Sequence, residues 1–252
     1  MSSLKSAMKY VINTMTKNKV RPEYIPLYKG ELLKGKTCLI SGGGSGIGKA
    51  IASSFAENGA TVIIAGRNEE KLRSTCQQLG MNVSYAVMDI SNVHSIERAF
   101  NEIVRKNDLT IDVLVNCAGN NNFTKFGSIS EEEFSSVIDT NLKGTFFLSQ
   151  TVSNYMIQNK IQGNILNIGS SSSFNPVNRP YGLSKWGIRG LTLGLAKSLI
   201  PYGIVVNGIA PGPTATHMLS KEGSSDLRHD SVPAGRYITP EEIGRASCRE
   251  RV

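Results

Sequence analysis

An α/β fold, one doubly wound parallel sheet with helices on both faces, is what the sequence predicts, and three observations carry the prediction. Six short apolar runs, at 37–40, 61–65, 83–87, 111–115, 164–168 and 204–209, have the length and side chains of buried strands. Most of the stretches between them fit one crossover helix each, the alternation that calls for parallel strands. A glycine-rich turn, Ser41-Gly42-Gly43-Gly44-Ser45-Gly46-Ile47-Gly48, joins the first run to a helix-like run beginning at Ile47. Such a turn aims free backbone amides and the positive end of a helix dipole at whatever anion lies there.

Composition narrows the function. A chain of 252 residues with 40% apolar side chains fits one globular domain with a sizeable core. No apolar run approaches the length that crosses a bilayer. The net charge of +8 is concentrated at the ends: Lys5, Lys9, Lys17, Lys19 and Arg21 precede the first acid, and Arg245, Arg249 and Arg251 crowd the other terminus. The middle is nearly neutral, so neither nucleic acid nor membrane is an expected partner. Cys38, Cys76, Cys117 and Cys248 show no paired spacing and are expected as reduced thiols in a cytoplasmic protein. His94, His217 and His229 form no ligand spacing, so no metal is expected.

Residues 1–34 read as a basic arm, with Leu4, Met8, Val11, Ile12 and Met15 near helical spacing ahead of Arg21-Pro22. The arm is expected to dock on its own or a neighbouring subunit, and lysine dominance argues against an organelle transit peptide. The domain itself is assigned to 35–243. Gly42, Gly46 and Gly48 remove the Cβ atoms that would hold a ligand away from the backbone, so Ser41–Gly48 is expected to cradle a pyrophosphate. No literal G-x-G-x-x-G is present, and turn chemistry alone can produce such a loop.

The second run ends at Gly66-Arg67, where a dinucleotide site reads the adenosine ribose. A carboxylate there would bond a free 2′-hydroxyl, whereas arginine pairs with a 2′-phosphate, so Arg67 favours NADP(H) over NAD(H). Asp89 and Ile90 follow the third run and Asn116-Cys117-Ala118-Gly119 the fourth, both at the carboxyl ends of strands where ligands of open sheets bind. The longest helix should start at Ser130, with Glu133 completing a capping box, and run to about Lys160.

Tyr181 and Lys185 stand i, i+4 in a helix expected over 181–199, so both project from one face. A cation one turn from a phenol favours its phenolate and brings it nearer the range of a working acid and base. With the turn at Ser41, Asn116-Cys117-Ala118-Gly119, Asn141, the serine after the fifth strand and Pro211-Gly212-x-x-x-Thr216, the pattern resembles the short-chain dehydrogenase/reductase superfamily in its single-domain, Rossmann-like form, and within it the 3-oxoacyl-acyl-carrier-protein reductases.

The resemblance implies hydride transfer between NADP(H) and a small-molecule carbonyl or secondary alcohol. Tyr181 would be the proton donor, and Lys185 would lower its pKa and bind the nicotinamide ribose. Ser170 would position the carbonyl oxygen, with Ser171 and Ser172 as alternatives, and Asn141 would hold a water that connects Lys185 to solvent. It further implies that Asp89 and Ile90 meet the adenine. Asn116, Ala118, Gly119, Pro211, Gly212, Thr214 and Thr216 would line the cofactor, and the chain would form a homodimer or homotetramer. Residues 213–238 resemble the family's substrate lid, and Phe123, Phe126, Phe174, Arg179, Met218 and Leu219 are candidates for the substrate pocket.

The chain's end breaks the pattern. Thr239-Pro240-Glu241-Glu242 is a well-formed helix start, yet 244–252 resemble the in-frame translation of a sequencing adapter. The expectation is a non-native tail, with the family's last apolar helix and seventh strand missing. A non-catalytic or inactive dinucleotide-binding protein is the alternative function, and the presence of Tyr181 and Lys185 argues against it.

Overall fold

The computed structural model describes residues 30–107, 110–224 and 226–250, so the expected helix at 3–17 and the rest of the arm up to residue 29 lie outside it. Six strands, β1 Thr37–Ser41, β2 Thr61–Gly66, β3 Val83–Val87, β4 Val113–Asn116, β5 Asn164–Ile168 and β6 Val205–Ile209, form one sheet in the order β3-β2-β1-β4-β5-β6. Every pairing is parallel, as the apolar runs and crossover lengths require.

Alternation along each strand sorts the core into two layers. Leu39, Ile63, Leu114, Ile165 and Val206 face α3 (Val93–Asn107), α5 (Thr145–Gln158) and α6 (Pro180–Leu199), whose Ile96, Phe100, Leu148, Val152 and Leu199 complete that layer. Cys38, Ile40, Val62, Ile64, Val113 and Val115 face the other way, toward α1 (Gly46–Glu57), α2 (Glu69–Leu79) and α7 (Pro240–Glu250). Leu33, from the stretch read as arm, is fully buried in this second layer.

The long helix from Ser130 is interrupted. Ser130 and Glu133 make the reciprocal capping box, opening α4 (Glu131–Ile138), and a π-helical segment, Asp139–Gly144, separates α4 from α5. The wider turn carries Asn141 into the interior, a device common near functional sites.

The expectation that no helix follows Thr239 is overturned. Thr239 and Glu242 form a capping box, and Arg236 grips the Glu242 carboxylate through two nitrogens at 2.7 and 2.9 Å, which holds that carboxyl down to about 2. Helix α7 then buries Ile243, Ser247 and Cys248 against the sheet and α1, with Cys248 Sγ 3.1 Å from Ser54 Oγ. A search for an apolar stripe misses this helix because its contact with α1 is made by small residues that allow close approach. A Cβ added at Gly244 would sit 2.5 Å from the Ala50 carbonyl oxygen. No seventh strand occurs among the described residues.

Gly244→Leu should therefore push α7 off α1 and lower stability by about 1–3 kcal/mol in chemical denaturation. An unchanged midpoint would mean that α7 does not depend on this contact.

Candidate active site

The sheet changes its winding direction between β1 and β4, and the crevice at their carboxyl ends is the natural ligand site of such a sheet. Ser41 holds the crevice to shape. Its hydroxyl accepts from the Cys117 and Ala118 amides at 3.2 and 3.3 Å and donates to the Val115 carbonyl at 3.4 Å. Gly42 follows with φ of 71°, and a Cβ there would lie 2.6 Å from Ala118 Cα. A Cβ at Gly48 would strike the Gly42 carbonyl oxygen, so only glycine lets α1 start this close to the loop.

The space these residues leave is a cavity of about 640 Å³. It runs from Arg67 and Lys71, past the Ser41–Gly48 turn, Asp89, Ile90, Ala118 and Gly119, to Tyr181 and Lys185. A cradle free of Cβ atoms below the N-terminus of α1, with two cations at one end and the Tyr–Lys pair at the other, fits a dinucleotide. A second cavity of about 400 Å³ adjoins it, between Ser170–Ser172, Asn175–Arg179 and Pro211–Thr214. Ile47, Asn121, Gly169, Tyr181, Thr216 and Met218 line both, so Tyr181 stands at their junction.

Pro180 starts α6 and sets Tyr181 and Lys185 one turn apart on its inner face. Lys185 is buried, its Nζ donating to the Ile168 carbonyl at 2.8 Å and lying 5.7 Å from the Tyr181 ring centre. Burial lowers its pKa to about 8. The lysine does not depress the phenol as expected: the Tyr181 pKa is raised, chiefly by burial, and a side-chain hydrogen bond with Ser170 only partly offsets this. Desolvation outweighs a cation that is itself partly turned toward a backbone carbonyl. Cys117, absent from the expected site residues, lines the first cavity, and burial pushes its thiol up to about 12.

Among the serines, Ser170 is the one that reaches Tyr181, and its hydroxyl also accepts from the Ser172 amide at 3.1 Å. Ser173 turns inward to the Ser170 carbonyl. Asn141 accepts from the Asn120 amide at 2.8 Å and donates to the Asn120 carbonyl and to Ser184 Oγ, which anchors the loop after β4 beside α6. Asp89 accepts from the amide and hydroxyl of Ser91.

Three expected placements differ in the structure, and one lining residue was not expected. Asn116 is buried and lines neither cavity; its amide donates to Ser149 Oγ at 2.9 Å and Asn167 Oδ1 at 2.8 Å, because its side chain points between β5 and α5. Pro211, Gly212 and Thr214 line the second cavity rather than the first, since the chain turns there after β6, and Thr216 alone of that set borders both. Phe123, Phe126 and Phe174 are exposed outside both cavities, Phe174 lying 4.4 Å beneath the Arg189 guanidinium. Lys71, unmarked in the sequence, joins Arg67 because the Asn68 cap turns the first residues of α2 toward the cavity.

The Lys185 shift has a consequence for stability. Between about pH 8 and 10.5 the unfolded chain binds a proton that the folded chain has released, so this contribution to stability rises with pH across that window, and the cost of burying the charge is fully present below it. Urea denaturation should show wild-type stability rising relative to Lys185→Met over that range. Parallel curves would mean that Lys185 is solvated.

The family described as short chain dehydrogenase matches residues 36–226. The 3-oxoacyl-(acyl-carrier-protein) reductase FabG of Thermotoga maritima is 37% identical over 220 residues, which cover 84% of this chain and 89% of the relative. A solved 3-ketoacyl-(acyl-carrier-protein) reductase from Brucella melitensis, complexed with NADH, matches with a TM-score of 0.80 and 26% identity over 87% of this chain and 92% of its own. An actinorhodin polyketide ketoreductase with NADPH matches with a TM-score of 0.77 and 31% identity, over 86% and 90%. Sheet order, cleft and relatives agree: the chain belongs to the short chain dehydrogenase family and is an NAD(P)-dependent oxidoreductase acting on carbonyl and alcohol groups.

Proposed function

We propose that this protein is an NADP(H)-dependent carbonyl reductase with Tyr181 as its proton donor and a 3-oxoacyl thioester as the first substrate to try. The observation that carries the reading is the position of Tyr181 at the junction of the two cavities. A nicotinamide dinucleotide bound in the first cavity supplies the hydride that reduces the carbonyl carbon. As charge builds on the carbonyl oxygen, Tyr181, a phenol protonated at neutral pH and made more so by burial, gives its proton up, and Ser170 offers a second hydroxyl to the same oxygen. Lys185, an ammonium below about pH 8, adds the positive charge that favours the phenolate left behind and binds the nicotinamide ribose. Asn141, through Asn120 and Ser184, holds the loop after β4 against α6 near Lys185, and a water bound beside it would carry a proton back toward Lys185.

Ser41, Gly42, Gly46, Ile47 and Gly48 carry the pyrophosphate, Asp89 and Ile90 the adenine, Ala118 and Gly119 the ribose side, and Thr216 the nicotinamide end. Asn116 acts as a buttress. Arg67 and Lys71 at the far end of the cavity support a 2′-phosphate, hence NADP(H). Exposed Phe134, Phe146 and Phe147 on α4 and α5, with Leu183, Trp186 and Leu193 on α6, make an apolar surface that suits a homodimer or homotetramer. Cys38, Cys76, Cys117 and Cys248 form no disulfide, which suits a reducing cytoplasm. No helix among the described residues is long and apolar enough to cross a membrane.

Following NADPH absorbance, Tyr181→Phe should lower kcat/KM by about 10³-fold while dinucleotide binding persists, Ser170→Ala by about 10²-fold, and Ser172→Ala by little. A larger loss in Ser172→Ala would move the carbonyl donor to that residue. Arg67→Asp should cut the preference for NADPH over NADH by about 10- to 100-fold, the worth of one charge-assisted contact. An unchanged ratio would remove Arg67 from cofactor choice.

A further inference from the structure

The second cavity is uncharged except at one point. Its walls include serines, asparagines, threonines, Tyr181 and the apolar side chains of Ile47, Val177, Met218 and Leu219; among the described residues the sole charged residue lining it is Arg179, and no carboxylate does. Arg179 immediately precedes α6 and stands two positions from Tyr181, with extended backbone at φ −126° and ψ 151°. Among the described residues its guanidinium has neither an ion-pair partner nor a hydrogen-bond acceptor, whereas Arg73 and Arg236 pair with glutamates and Arg189 lies over Phe174 and donates to the Ser173 carbonyl. Its donors are therefore unengaged, in a residue that lines the cavity the reacting carbonyl must enter.

A planar guanidinium binds carboxylate or phosphate with two parallel hydrogen bonds, and in a site without competing acids it attracts anions and repels cations. We infer that Arg179 selects carbonyl substrates carrying an anionic group, carboxylate or phosphate, within a few bonds of the carbonyl that Tyr181 protonates. The inference rests on the carbonyl-reductase reading above. Because the contact is made equally before and during hydride transfer, it acts on KM more than on kcat. Because Arg179 is exposed, its effect weakens as ionic strength rises.

Two matched pairs test this with the full chain and NADPH: acetoacetate against ethyl acetoacetate for the carboxylate, and dihydroxyacetone phosphate against dihydroxyacetone for the phosphate. In Arg179→Gln, kcat/KM should fall about tenfold for the anionic member of at least one pair, mainly through KM, and stay within about twofold for the neutral members. Arg179→Lys should recover part of the loss, and added salt should narrow the preference in wild type but not in Arg179→Gln. The pair with the larger loss identifies the anion. Equal losses on charged and neutral members, or an anionic preference that survives Arg179→Gln, would overturn the inference and leave the reductase reading intact. Acetoacetyl-CoA, which has no anionic group near its keto carbon, separates the two readings: wild type that consumes NADPH with it but with none of the four compounds overturns this inference alone, and no turnover with any of the five overturns the reductase reading as well.

Discussion

The ends of β1 and β4 are where the whole site begins: the two strands pair up to Ser41 and Asn116, and one hydroxyl holds the loop that leaves β4. Beyond these ends the chain leaves toward opposite faces of the sheet, α1 on one side and the loop to α4 on the other. Ser41 bridges them by accepting two amides of the departing loop, and Gly42 permits the contact by having no Cβ to drive into Ala118. With the two ends fixed, α1 starts where its free amides face the crevice. Tyr181 on α6 then faces the same space from across β5. If Ser41 or Gly42 were bulky the crevice would lose its floor, and residues far apart in sequence would no longer share a ligand.

Within the crevice, burial works on three titratable groups at once. It keeps Tyr181 and the Cys117 thiol protonated and pulls the Lys185 ammonium toward neutrality, so the resting cluster carries a single positive charge near physiological pH. A single cation beside two neutral donors suits an oxygen that becomes negative only during reaction. The surroundings that raise the cost of a lone phenolate also make the nearby ammonium more effective once negative charge appears.

Support for this arrangement comes from buried amides. Asn116 donates to Asn167, whose own amide donates to Thr192 on α6, and Asn141 ties the loop after β4 to Ser184. These contacts cross from strand to strand and from strand to helix, so they fix the height of α6 above the sheet. The π segment at Asp139–Gly144 belongs to the same framework, since a regular helical turn would carry Asn141 to a different face.

Much of this was legible in the sequence, and the reason is locality. Strand runs, the glycine turn, the Ser130 capping box and the Tyr181–Lys185 spacing are short patterns whose physics is decided within a few residues, and each appears in the structure. The start of helix α7 is legible in Thr239–Glu242 but its continuation is not, because small residues such as Gly244, Ser247 and Cys248 reveal a packing face only once α1 lies against them. Nor was the buried position of Asn116, the company of Lys71 beside Arg67, or the outward turn of Phe123 and Phe126, since a loop's composition does not say which way its side chains point. The direction of the Tyr181 shift is hidden from the sequence for the same reason. A spacing of four places the cation near the phenol, but how much water surrounds the pair depends on every element packed around them, and desolvation is a property of the assembled fold alone.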